Sequence, residues 1–113
     1  MDSKLLTGTV ETLILQVLSP RESYGYQITQ EVLARSQGYF ELKEGSLYPA
    51  LHRLERQGLL ESFWTEVDSG RRRKYYKLTA TGRQALEERR EEWRRFSTGV
   101  NGVLGVPSNV MAG

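Results

Sequence analysis

The chain reads as a mainly α protein with one small β-hairpin, an α+β fold, on three observations. Three short apolar stripes recur at helical spacing ahead of Gly58, and two aromatic and β-branched runs bracket the turn signal Asp68-Ser69-Gly70. A long charged segment with its own seven-residue apolar repeat follows them. At 113 residues the length suits one compact core with at most an appended helix.

The first stripe, Leu6, Val10, Leu13, Ile14, Val17 and Leu18, predicts a helix over residues 8 to 18, stopped by Ser19 and Pro20. A second helix opens at Tyr24-Gly25-Tyr26 behind Ser23. It runs on Ile28, Val32 and Leu33 to Ser36, and Gly38 ends it. An extended piece is expected over residues 39 to 42. The third helix contains Pro49, which is tolerated only in a first turn, where its missing N–H had no partner. That places the start at Ser46 as N-cap, with Leu47, Leu51 and Leu54 buried and Tyr48, Pro49, His52, Arg53 and Arg56 on the other faces.

Residues 59 to 67, with Phe63 and Trp64, and residues 73 to 78, with Tyr75 and Tyr76, read as the hairpin, and Trp64 is expected to pack within it. Thr79 then caps a last helix starting at Ala80. Its seam positions are Leu86, Trp93 and Val100 on one line and Arg89, Phe96 and Val103 on the other. A helix running beyond a small complete domain cannot bury Trp93 and Phe96 on that domain, so a partner helix should cover them. The expected division is residues 1–79 as one unit, 80–104 as a C-terminal dimerisation helix, and 105–113 as a flexible tail with no charge. Three helices and a hairpin with a basic end describe a winged helix-turn-helix that binds double-stranded DNA.

Composition narrows the function classes. Cysteine is absent, His52 is the only histidine, and Asp2 and Asp68 are the only aspartates, which leaves no inventory for a catalytic triad, a thiolate or a metal site. No enzyme, cofactor or metal is expected. No segment has the roughly 18 to 20 apolar residues of a membrane span, and the start lacks a secretory pattern, so a cytoplasmic chain without a membrane partner is the expectation. The formal charge of +2 conceals an uneven split. Residues 1–70 carry six basic against ten acidic side chains, whereas residues 71–113 carry ten against four. Arg71, Arg72, Arg73, Lys74 and Lys77 fall within seven positions free of acids.

Candidate DNA contacts follow from these placements. Tyr24 and Tyr26 open the second helix, a suitable phosphate site, with Gln27 in the same turn, although one of the tyrosines could equally pack on the core. Lys43, Ser46, Tyr48, Pro49, His52 and Arg53 lie at the start and outer face of the third helix. An exposed Tyr-Pro pair there has little structural purpose, and Arg53 is a better base reader than His52 because it can donate two parallel bonds to guanine. Arg71, Arg72, Arg73 and Lys74 at the tip of the hairpin would hold the phosphate backbone, giving affinity more than specificity. Leu86, Trp93, Phe96, Val100 and Val103 would form the dimer joint. A winged-helix protein-interaction module without a DNA target is the alternative.

The segments Tyr24-Gly25-Tyr26, Glu44-Gly45-Ser46-Leu47-Tyr48-Pro49-Ala50-Leu51, Arg53-Leu54-Glu55, Gly58-Leu59 and Arg73-Lys74-Tyr75-Tyr76-Lys77-Leu78-Thr79 with Gly82 resemble the PadR family of bacterial transcriptional regulators. The resemblance spans residues 5 to 104, and the single terminal helix with its Trp93 is similar to the compact members. It implies a homodimeric, DNA-binding repressor of a kind that often senses a small aromatic or drug-like molecule. The expected mechanism is occlusion of a near-palindromic operator, and Trp93 is read first as dimer core, with a ligand platform as the alternative or additional role.

Overall fold

The computed structural model describes residues 3–107; the remainder of the expected tail, 108–113, lies outside the described residues. Helix α1 (Ser3–Leu18) starts five residues before the expected point, because nothing in residues 3–7 interrupts it and Gly8 is tolerated within it. Its buried stripe is Val10, Ile14, Leu15, Val17 and Leu18, and Leu13 is only half-buried. Strand β1 (Ser23–Tyr24) leads into α2 (Gly25–Arg35), and α3 (Glu44–Arg56) follows a turn without regular structure at residues 39 to 43.

Ser46 does not cap α3. Lys43 does, and its carbonyl accepts from the N–H groups of both Ser46 (3.0 Å) and Leu47 (2.8 Å). Pro49 is therefore the sixth helical residue rather than one of the first turn, and Gly45 loses the intrahelical donor that a residue with an N–H would supply. Gly45 is exposed, so water can satisfy that carbonyl and the helix continues.

Strands β2 (Leu60–Glu66) and β3 (Arg72–Leu78) flank a one-turn 3-10 segment at Asp68–Gly70, in which Ser69 and Gly70 have positive φ. β3 is the central strand of an antiparallel sheet ordered β1-β3-β2, with Ser23 opposite Tyr76 and Tyr24 opposite Tyr75. The added strand β1 escapes sequence reading because two residues carry no periodicity.

Helix α4 (Ala80–Leu104) is fastened at its start to the turn after α3. Thr79 N–H donates to the Leu59 carbonyl (3.1 Å), Thr79 Oγ1 donates to Gly58 (2.7 Å), and the same hydroxyl accepts from Gly82 N–H at 2.9 Å. Gly82 is buried hard against the Leu59 carbonyl, where a Cβ would collide with backbone. The core joins Ile14, Leu15, Ile28, Leu47, Leu51 and Leu54 to Leu60, Tyr76 and Leu78 of the sheet, and Leu86 of α4 closes it. At 3% exposure Leu86 has no surface left for a partner, so it leaves the proposed dimer joint. Beyond Leu86, α4 runs on beside α1, with Arg89 and Arg90 reaching Glu11 and Gln16, and its last turns extend past the body. The radius of gyration of 15.6 Å exceeds the value of about 13 Å for a compact chain of this length, and the longest extent is 55 Å against 30 and 28 Å.

Candidate nucleic-acid interface

Helices α2 and α3 meet where side chains of α3 close on the backbone of Gly25. A Cβ on buried Gly25 would lie 2.5 Å from the Tyr48 hydroxyl oxygen, so the absence of a side chain there lets the phenol lie over the start of α2. Tyr48 is 39% exposed and has a packing role alongside any contact it makes outside, contrary to the expectation that the Tyr-Pro pair lacks structural purpose. Gln27 turns back to accept from the Tyr24 N–H at 3.2 Å, capping α2. Tyr26, by contrast, is open to solvent. Ser46, Pro49 and His52 are exposed along α3, and Lys43 at its N-cap faces Glu41 at 3.4 Å.

Arg53 is committed elsewhere. Its Nε donates to Oε2 of Glu11 on α1 at 2.7 Å, and Arg89 Nη1 of α4 approaches Glu11 Oε1 at 3.4 Å. The bond through Nε restricts how far the half-buried Arg53 side chain can swing outward, whereas Ser46 and His52 are exposed on the same helix. Sequence reading missed Glu11, and placed Arg89 on the α4 seam without its bond to that carboxylate. The available signal was a lone carboxylate beside Val10 in the apolar stripe of α1.

The basic run does not form one patch at the wing tip, because alternate residues of a strand face opposite ways. Arg72 and Lys74 lie on the core side of the sheet, over the exposed indole of Trp64, at 5.2 and 6.0 Å from the ring centre. Lys74 also reaches Tyr76, at 5.7 Å. Arg73 lies on the opposite face, stacked 4.0 Å over Tyr24, where Tyr24, Tyr75 and Phe63 form a continuous aromatic row. Only Arg71 flanks the turn, as an exposed residue whose carbonyl accepts from Val67 N–H at 2.7 Å. Trp64 is more than half exposed rather than strand packing. Tyr76 lies where the two surfaces join: Lys74 extends over it on the wing, and its cross-strand partner Ser62 donates to Glu55 Oε2 of α3 at 2.6 Å.

The profile of the transcriptional regulator PadR-like family matches residues 14–88. The chain belongs to that family. The transcriptional regulator Rv3488 of Mycobacterium tuberculosis is 40% identical over 95 residues, 84% of this chain and 85% of that protein. A transcriptional regulator from Clostridium thermocellum superposes with a TM-score of 0.80 at 32% identity, over 90% of this chain and 96% of that one. A PadR family transcription regulator from Clostridium difficile gives 0.73 at 38% identity, covering 84% and 97%. PadR-like proteins are transcriptional regulators rather than enzymes, and the winged helix here is theirs. Among the described residues no helix of this PadR-like chain is long and apolar enough to cross a membrane, and no acidic or imidazole cluster suits a metal ion.

A concavity lies between α1 and α4. This groove of about 880 Å³ has Leu13 and Phe40 on one side and Trp93 and Phe96 on the other, with Arg89 at its edge. The two α4 rings stand 5.6 Å apart. Trp93, Phe96, Val100, Val103 and Leu104 are all exposed, continuing the stripe that Leu86 begins inside the core.

Proposed function

We propose that this PadR-like chain is a homodimeric repressor that occludes a near-palindromic operator. The observation that carries the reading is the shared side of α3 and the wing: Ser62 of β2, the cross-strand partner of Tyr76, donates to Glu55 of α3 at 2.6 Å, and Lys74 extends over Tyr76. The exposed edge of α3 and the cations Arg72 and Lys74 can therefore meet one duplex together. Ser46, Pro49 and His52 enter the major groove, with His52 and Ser46 reading base edges, and Tyr26 lies at the adjoining backbone. Arg71, Arg72 and Lys74 hold phosphates, and Arg73 supports the interface through Tyr24.

One recognition helix per protomer requires a second copy to span half-sites about 34 Å apart. The uncovered stripe of α4 supports that pairing, since the apolar face continues beyond the part its own domain buries. A flat aromatic effector would occupy the groove beside Trp93 and relieve repression by favouring a dimer geometry that no longer matches successive grooves. Titrating a fluorescent duplex from the region upstream of the chain's own gene, at several salt concentrations and beside scrambled duplexes of equal length, tests the reading. Salt-dependent binding with preference for the upstream duplex supports it; no binding to any duplex would leave a protein-interaction module instead.

A further inference from the structure

Glu11 is the only buried carboxylate among the described residues, at 7% exposure within the apolar stripe of α1. Each of its oxygens is turned to a different helix: Oε2 to Arg53 of α3, 42 residues away, and Oε1 to Arg89 of α4, 78 residues away. Helices α3 and α4 both pack on α1, which lies between them. For burial alone a leucine would serve this position better, because a carboxylate loses hydration there. What the carboxylate adds is direction. Two charge-assisted bonds on one carboxylate add directional ties from α1 to α3 and to α4, whereas apolar burial is non-directional. Arg89 also edges the groove that contains Trp93.

We propose that Glu11 is a positioning residue, a bridge through which the placement of α4 sets the placement of α3. Resting on the reading of α3 as the recognition helix and α4 as the dimer joint, it makes the α1–α4 groove a point of control. An occupant or dimer geometry that moves Arg89 pulls on the same carboxylate that holds Arg53. The required two-state element is the angle between α4 and the body of the domain.

The absence of cysteine makes a direct test possible. Spin labels on Gln57→Cys and Glu88→Cys, both exposed positions, report the distance between the end of α3 and α4 within one protomer when labelled chain is diluted into excess unlabelled chain. Arg89→Met removes one arm of the bridge without touching the DNA face, and the distance distribution should broaden about twofold or more. Arg89→Lys should narrow it again, and Arg95→Met, which changes an exposed arginine bonded to Glu91 within α4, should leave it unchanged. In parallel, the upstream duplex and a version with one base pair inserted at its centre are titrated. The parent should favour the natural spacing, and Arg89→Met should discriminate about threefold less.

Folded Arg89→Met and Glu11→Gln variants with the parent's distance distribution would overturn the bridge, whatever the DNA result. If the distances respond as expected while the parent binds no duplex, the bridge stands and the DNA reading falls.

Discussion

Tyr76 is 2% exposed between the core and the wing, and its phenol ionises above the ordinary tyrosine value, first because it is buried and then because Glu55 and Tyr48 oppose a negative charge there. A group whose folded pKa is raised stabilises the fold below its unfolded value, about 10 for tyrosine, and loses that contribution as pH rises through the folded value. Tyr76→Phe should therefore lose less stability than the parent above about pH 10, measured by urea melts on both sides of that value. Equal alkaline losses in the two proteins would refute the assignment. Gly82 gives a sharper residue-scale test. Alanine is the better helix former by roughly 1 kcal/mol, yet here its methyl meets the Leu59 carbonyl. Gly82→Ala should destabilise by about 1 to 3 kcal/mol in denaturant melts, the reverse of the propensity effect.

At the scale of elements, the wing shows why a charge run must be read through its secondary structure. Consecutive cations in a strand alternate faces, so Arg72 and Arg73 face opposite ways, one over Trp64 and one over Tyr24. Arg72→Ala should weaken DNA binding about equally for all sequences and reduce the salt slope by about 1, whereas an unchanged slope would remove Arg72 from the phosphate contacts. Helix α3 carries the complementary lesson. The apolar spacing of Leu47, Leu51 and Leu54 located its buried face, but Pro49 misplaced its start, because a single lost bond beside exposed Gly45 is tolerated inside a helix held down by its neighbours. Strand β1 was invisible for a related reason: its two residues are extended only because β3 lies alongside.

For the whole molecule, the proposed dimer turns on the exposed half of α4, which would set how many recognition helices meet a duplex. Trp93 is 54% exposed and Phe96 53%, areas that one protomer leaves in water. Trp93→Ala combined with Phe96→Ala should give a folded monomer that has lost high-affinity operator binding but keeps its wing charge, since truncating a buried aromatic costs about 3 to 5 kcal/mol. Sedimentation velocity beside duplex titration checks this, and a double variant that remains dimeric and binds normally would place the joint elsewhere. The sequence by itself determined the α+β class, the order of helices and hairpin, the apolar faces and the family, because periodicity, turn residues and local motifs are properties of neighbours in the chain. Only the tertiary structure decided that Leu86 belongs to the core, that Tyr48 packs on Gly25, and that Arg53 and Arg89 meet at Glu11. Those roles depend on which side chains arrive from distant elements, and spacing along one element carries no record of what packs against it.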